Sequence, residues 1–537
     1  MTLAIDLSVP DDFNWAFDVV DRWAEDPQKR AMRWVGPDGE VCDLSFAAFR
    51  ERSNRLASAL ASLGLRRGDR VFVMLPRVVA WWESALALIK LGAVAMPGTS
   101  LLTPKDIAFR IGAAEARAVI TDSDGAARLE SVRAQCPTLE LSVVVGAPRE
   151  GWHAYEALMD AGSPELERRP TPSSDPCLVY FTSGTVGNPK MVLHTHASYP
   201  IGHRITGRYW LDLTPDDLHW NLSDTGWAKA AWSSLFGPWN MGAALFVHDG
   251  RGKYNPRETL ELLQAHPITT FCAAPTIYRL LVQEDLAAYR FPHLRSVTGA
   301  GEPLNPEVIE VWRAATGLTI RDGYGQTESV LLCGNPPGQE VRPGSMGKPL
   351  PGQHLAVIDD EGNELPPGRE GDLAVRVRPE RPVGLFKEYW RNPAATAAAH
   401  RGDWYVTGDR AYVDADGYFW FVGRADDVII SAGYRIGPFE VESALIEHPA
   451  VAEAAVVAKP DAARGAIVKA YVVLAAGHTP SDELAHELQE FVKQVTAPYK
   501  YPREITFVSD LPKTVSGKIR RVELRARAAS EGAPEAH

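Results

Sequence analysis

The chain has little cysteine for its length: five in 537 residues, with Cys42, Cys136, Cys177, Cys272 and Cys333 scattered and no CxxC pair. Odd in number and unclustered, they encode neither a disulfide framework nor a cysteine-built zinc site, and they suit a reducing compartment. Positive charge is also short, since 56 Lys and Arg against 68 Asp and Glu leave a formal net charge of -12. A general nucleic-acid binder needs a basic face to displace phosphate counterions, so that class is excluded while a locally basic pocket is not. Long apolar runs are missing too. The most apolar helical stretch, residues 80–96, carries Glu83 and Lys90 and is too short and too charged to span a bilayer. Residues 1–13, MTLAIDLSVPDDF, lack the basic segment and apolar core of a secretory signal. These absences lead to the expectation of a soluble, cytoplasmic protein.

What is present reads as globular α/β. A hydrophobic fraction of 45% and a charged fraction of 23% exclude disorder and collagen-like classes. The length exceeds one ordinary core and favours a large domain of several layers plus a smaller one. Residues 71–122 read as strand, helix, strand: VFVML, AWWESALALIKLG and ARAVIT, with MPGTSLLTP as a Pro/Gly connection before the second strand. The pattern recurs at LSVVVG, CLVYFTS and LRSVTGAGE, the last leading into a helix with Asn305 as N-cap and Pro306 at its first position. Beyond about residue 425 the units shorten to GPFEVESALIEH as helix, AEAAVVAKP and AIVKAYVVLA as strands, and SDELAHELQEFVKQV as helix. In that last helix Leu484, Leu488, Phe491, Val492 and Val495 share one face behind an N-cap at Ser481. The expectation is a large multi-layer N-terminal domain of mixed sheets and helices, residues 1–425, joined by a hinge in GRADDVIISAG to a small α+β domain, residues 426–537.

Several motifs carry polar chemistry. In YFTSGTVGNPK, hydroxyls of Thr182, Ser183 and Thr185, glycines at 184 and 187, and the charge of Lys190 suit a phosphate loop. It is not a Walker A loop, because Pro189 stands where a glycine must precede the lysine. Taken alone, the run also reads as a polar hairpin turn. DGYGQTE offers Asp322, the aromatic face of Tyr324 for a base, Thr327 for a phosphate, and Glu328 as a hard oxygen ligand for Mg²⁺. Asp409 in YVTGDR and Arg424 in FVGRADD suit ribose hydroxyls, or form halves of surface ion pairs. LPKTVSGKIRR presents Lys513 and Lys518, of which Lys513 reads as a surface or phosphate-steering lysine. In order, these are a phosphate loop, a metal carboxylate, a ribose anchor and a cation. Bringing a carboxylate onto an α-phosphorus needs that set, since two anions must be held in line and their charge offset. His194 and His196 have no third ligand nearby, which argues against zinc, and the Trp81-Trp82 pair reads as core and helix surface.

The ordered set resembles the adenylate-forming superfamily of acyl-CoA synthetases, luciferases and peptide-synthetase adenylation domains. It is most similar to the medium-chain acyl-CoA synthetases through YFTSGTVGNPKMVLHTH, SDTGWAKAAWSSLFGPW, GRADDVIISAGYRIGPFEVE and TAPYKYPREITFVSDLPKTVSGKIRR, and the similarity runs from about Phe13 to about Arg525. The resemblance implies an ATP-dependent acid:CoA ligase that works through an acyl-adenylate, with ATP, Mg²⁺ and coenzyme A as its small-molecule requirements. It implies that Thr182, Ser183, Gly184, Thr185, Val186, Gly187, Asn188, Pro189 and Lys190 cradle the triphosphate. Gly301, Glu302 and Pro303, with Asp322, Gly323 and Tyr324, would hold the adenine, continuing through Gly325 and Gln326. Thr327 would meet the α-phosphate, Glu328 the magnesium, and Asp409 and Arg424 the ribose; Lys518 would swing in for adenylation. Asp426 would be the hinge that exchanges Lys518 for the Gly433, Tyr434, Arg435 face, with Arg464, Lys493 and Tyr501 lining the CoA site. Trp227, read as lying in an exposed loop, would wall the acyl pocket. A fatty acid of intermediate length and an aryl acid both stay open. A carrier-loading adenylation enzyme needs a carrier on another chain, and an inert nucleotide sensor would be expected to have lost Lys518, Glu328 or Asp409, all of which are present.

Overall fold

The computed structural model describes residues 5–182, 189–432, 434–461, 464–513 and 518–531. Its larger part is built on two sheets. One has eight strands and centres on Arg70–Met74, which pairs in parallel with Val94–Pro97 and Ala118–Asp122. These strands are apolar on both faces, as a sheet covered by helices requires. The sheet continues through Pro176–Thr182, antiparallel to Lys190–Thr195, so Thr182 lies opposite Lys190. The other sheet has 14 strands. Its parallel segment runs Leu218–Leu222, Thr270–Ala273, Ser296–Ala300, Ile320–Gly325. It then turns antiparallel through Leu331–Gly334 and Ser345–Pro349 to Phe419–Arg424 and Trp404–Val413.

The smaller part has its own three-stranded sheet, Val451–Asp461, Gly465–Leu474 and Glu504–Phe507, packed with the helices Pro438–Ile446, Asp482–Val495 and Arg521–Ser530. Ile429, Ile436, Val441, Leu445, Val456, Leu488 and Val492 form a core separate from those of the larger part. Ser481 caps its helix as read from the sequence, its side chain accepting from the amide of Leu484. Leu488 and Val492 are buried there, but Val495, the last residue of the helix, is 44% exposed.

Three local readings are corrected. The apolar stretch 80–96 is not one helix: Val79–Leu91 ends at Gly92, left-handed at φ 66°, and Val94–Pro97 is a central strand. Inside MPGTSLLTP, Thr103 begins a helix, Pro104–Ala114, through a capping box with Asp106. Trp81 and Trp82 are both buried, neither on the helix surface, and the Trp82 indole donates to the Ser234 carbonyl at 2.6 Å.

Candidate active site

The carboxyl ends of the parallel strands Ser296–Ala300 and Ile320–Gly325 lie side by side, with Ala300 opposite Gly323. In α/β sheets such strand ends are where ligands bind, because the loops that follow are free to vary. Here the loops supply Gly301, Glu302, Pro303 and the run from Asp322 to Glu328. Gly301 has φ 110°, open mainly to glycine, which lets the chain leave its strand sharply. A side chain at Gly323 would meet the Trp210 indole at 2.7 Å and one at Gly325 the Trp232 ring at 2.6 Å, so these glycines let two indoles pack on the strand.

Glu302 accepts from Thr276 Oγ1 at 2.8 Å and from Arg279 at 3.0 Å. Burial would push its carboxyl up, but Arg279, the two hydrogen bonds and the charge of Lys518 hold it below its ordinary value. Asp322 is raised to about 8, chiefly by burial, which the Gly323 amide and Lys229 only partly offset. Lys229 donates to the Ala300 carbonyl at 2.8 Å, and burial pushes its ammonium down against the pull of Glu302 and Asp322.

A second group forms where the long antiparallel strands meet this edge. Asp409 on Trp404–Val413 stands in register with Arg424 on Phe419–Arg424, and the pair is 3.3 Å apart. The other Asp409 oxygen accepts from the Tyr324 hydroxyl and, at 2.7 Å, from Gln326. Burial raises the Asp409 carboxyl, and the charges of Arg424 and Lys518 and these hydrogen bonds oppose the rise. Tyr405 donates to Gln326 Oε1 at 3.0 Å, which fixes the amide's orientation. The Arg424 and Asp409 side chains, 46% and 5% exposed, make a pair whose carboxylate lies inside and whose guanidinium faces outward.

Thr327 and Glu328 lie in the turn between. The Thr327 carbonyl accepts from His194 Nε2 at 2.8 Å and from the Tyr199 hydroxyl. His194 is pushed down to about 3 by burial, so it is neutral and donates. The HTH pair is therefore structural: His194 braces the turn, Nδ1 meets Ser198 Oγ at 3.0 Å, and His196 is buried. Glu328 Oε1 accepts from the Tyr389 hydroxyl at 2.8 Å, and burial raises its carboxyl. Lys190 Nζ lies 4.7 Å from the centroid of the Tyr389 ring, which brings the far end of the predicted phosphate loop to the Glu328 turn. Thr182, Pro189 and Lys190 are described; Ser183, Gly184, Thr185, Val186, Gly187 and Asn188 lie outside the described residues, as does Gly433.

From the smaller part, the charge of Lys518 favours the ionised forms of Glu302 and Asp409 and opposes that of Lys229. Lys513 pairs instead with Glu453 at 2.8 Å, a surface contact. Tyr434 and Arg435 are exposed on the hairpin of Ile429–Ser431 and Tyr434–Ile436, and the Ala432 amide donates to the Arg464 carbonyl at 2.9 Å. Lys493 and Arg503 sit over the Tyr501 ring, and Tyr434 stacks on Tyr499 with centroids 4.4 Å apart. All of these residues belong to the smaller part. Asp426 is exposed between the last strand of the larger part and that hairpin, its carbonyl accepting from Arg525 at 3.2 Å.

Trp227 is half-buried, not exposed: it starts the short helix Ala228–Ala231, its amide bonded to the Asp224 carbonyl at 3.1 Å. Lys229 and Trp232 follow on the same segment. Sequence reasoning missed Arg279, Lys229, Tyr199 and Tyr389, and it weighed His194 only as a metal ligand. Only Lys229 left a trace, as a lone charge in the apolar run WAKAAW.

Residues 19–390 match the family described as AMP-binding enzyme and residues 440–518 the AMP-binding enzyme C-terminal domain. The chain is similar to human acyl-coenzyme A synthetase ACSM3, mitochondrial, with 49% identity over 531 residues, 97% of this chain and 90% of that protein. Human acyl-coenzyme A synthetase ACSM4, mitochondrial, is 50% identical over 528 residues, 96% of this chain and 91% of its own length. Among solved structures, anthranilate CoA ligase AuaEII with anthranoyl-AMP superposes with a TM-score of 0.90 at 32% identity, covering 98% of this chain and 99% of that one. A benzoate CoA ligase from Burkholderia xenovorans LB400 has a TM-score of 0.84 at 30% identity, covering 96% and 100%. The expected cytoplasmic location is corrected by these relatives, whose names place them in mitochondria. Unpaired cysteines speak only to a reducing compartment and do not separate the two.

Proposed function

Because this chain belongs to the AMP-binding enzyme family and is an AMP-forming acyl-CoA synthetase, we propose that its activity divides between two faces of the smaller part. A carboxylic acid attacks the α-phosphorus of ATP, giving an acyl-adenylate and pyrophosphate; the thiol of coenzyme A then displaces AMP. In the first step Lys518 offsets the charge that gathers as two anions meet. Thr327 meets the α-phosphate in a turn that His194 and Tyr199 keep from shifting. Asp409, with Arg424, anchors the ribose, and Gly301, Glu302 and Pro303 with Asp322 to Tyr324 border the adenine. The observation that supports this reading is the meeting of Asp409, paired with Arg424 and bonded to Tyr324 and Gln326, with the strand ends that carry Glu302 and Asp322, on which the charge of Lys518 also acts.

Glu328 would hold Mg²⁺. The described residues contain no cluster of three His, Cys, Asp or Glu groups, so no protein cage exists among them. One half-buried carboxylate suits Mg²⁺, which is commonly held by one or two carboxylates and substrate phosphates. The ion would neutralise phosphate charge during adenylation. For the second step the hinge at Asp426, dividing residues 1–425 from 426–537, would bring Gly433, Tyr434 and Arg435 to the strand ends. Arg464, Lys493 and Tyr501 would then receive coenzyme A.

The acid is a fatty acid of intermediate length or an aryl acid. Indoles at Trp227 and Trp232 suit either, and similar solved proteins are named for anthranilate and benzoate. The test is pyrophosphate release with coenzyme A across an aliphatic and a benzoate series. Trp227→Ala should shift relative kcat/KM toward longer or bulkier acids by about tenfold or more, since one methylene in an apolar pocket is worth at least that much. An unchanged order of preference would remove Trp227 from the acyl pocket.

A further inference from the structure

Asn305 begins the helix Pro306–Thr316 but does not cap it, since its side chain makes no bond to the helix amides. An N-cap asparagine ordinarily satisfies one of those donors. Here the side chain is buried and points elsewhere. Its Nδ2 donates to Ser443 Oγ at 3.0 Å, and its Oδ1 faces Arg279, a donor only, at 3.4 Å. The two contacts together fix the amide's orientation. Ser443 belongs to the helix Pro438–Ile446 of the smaller part, so this hydrogen bond crosses the seam.

Each end of the bond leads to the catalytic lysine. Arg279 also holds Glu302, which feels the charge of Lys518. On the far side, Glu442, next to Ser443, receives both hydrogen bonds of Arg521, each 2.7 Å, and Arg521 lies three residues past Lys518. The path closes on itself: Glu302, Arg279, Asn305, Ser443, Glu442, Arg521, Lys518. Other seam contacts are less directed. Phe421 meets Phe439 edge-on at 6.4 Å between centroids, and Glu447 is raised first by burial and then by the like charge of Glu307. Two carboxylates facing across a seam disfavour its closure.

We propose that Asn305 is a positioning residue whose bond to Ser443 selects the arrangement in which Lys518 faces the nucleotide. The forgone cap is replaced by a bond that exists only while Lys518 is docked, so the interaction biases one conformer over the other. The proposal rests on the reading that Lys518 serves the adenylating half-reaction.

The test uses the full-length enzyme and two assays: acid-dependent ATP–pyrophosphate exchange, and thioester formation from supplied acyl-adenylate and coenzyme A. Ser443→Ala removes the acceptor at a half-buried surface. Exchange turnover should fall about fivefold, the scale of one lost hydrogen bond, with little change in KM for ATP. Thioester formation should be kept or rise. In Asn305→Ala the further loss on adding Ser443→Ala should be small, as expected of two ends of one bond. If Asn305→Ala does not fold, Ser443→Ala alone decides. Equal effects on both half-reactions, or none on exchange, would overturn the proposal. Lys518→Ala is the control: if it lowers exchange alone while Ser443→Ala does nothing, only the latch fails. If Lys518→Ala lowers both assays alike, the underlying reading fails.

Discussion

Asp322 is a buried carboxyl beside the proposed adenine site, raised to about 8 by its burial while the Gly323 amide and Lys229 pull the other way. Near pH 7 it is protonated when folded, whereas an unfolded chain, at the ordinary value of 3.8, has released that proton. The folded state therefore binds more protons between those values, and stability falls as pH rises through them, levelling above the folded pKa. Asp322→Asn keeps the shape and cannot ionise. Thermal melts from pH 5 to 9 should show a shallower decline for this variant than for the parent, and it should be the more stable of the two at pH 9. Parallel curves would mean that Asp322 is charged in the fold. Its place on the strand end was readable from DGYGQTE, but its protonation was not. That depends on burial by elements from elsewhere in the chain, which outweighs the opposing pull of the Gly323 amide, Lys229 and Leu304.

Among the elements, the last strand of the larger part, Phe419–Arg424, ends two residues before Asp426. Its neighbours are held: the Ala425 amide bonds the Gly408 carbonyl at 3.0 Å, and Arg525 binds the Asp426 carbonyl and the Asp427 carboxylate. Rotation at the proposed hinge, Asp426, would break the Arg525 bond to its own carbonyl while Asp427 moves with Arg525 and the strand pairing stays intact, as a hinge of few residues does. Asp426→Pro fixes φ and should trap one arrangement. Pyrophosphate exchange should persist while coenzyme A transfer falls by an order of magnitude or more. Normal overall turnover in this variant would move the hinge elsewhere.

Most elements were legible because their periods are clean, as in Asp482–Val495 behind Ser481. Residues 94–97 were not, since an apolar run buried on every side has no period to separate strand from helix. Asn305 shows a different limit. The N-cap position was right, yet its hydrogen bond goes to Ser443, a partner that no local pattern encodes. His194 was weighed as a metal ligand because its spacing from His196 suggested one, whereas its function here is to donate to a backbone carbonyl brought in from residue 327.

Across the whole molecule, the site draws its parts from every region. Lys190 comes from the eight-stranded sheet, Asp322 to Glu328 and Asp409 from the 14-stranded one, and Lys518 from the smaller part. No single motif carries the reaction, which is why the ordered set was informative where each member alone read as a turn or a surface pair. In the sequence, the smaller part's second face, Tyr434 and Arg435, could be recognised only by resemblance. In the structure both residues are exposed.

The most direct test of the account follows the oxygen of the acid. A carboxylic acid carrying oxygen-18 in both positions is turned over with ATP and coenzyme A, and the AMP and phosphates are analysed by mass spectrometry. If the carboxylate attacks the α-phosphorus and the thiol then cleaves the acyl carbon–oxygen bond, each AMP should carry one oxygen-18 atom and the pyrophosphate none. Unlabelled AMP, or label recovered in inorganic phosphate beside ADP, would contradict the acyl-adenylate route.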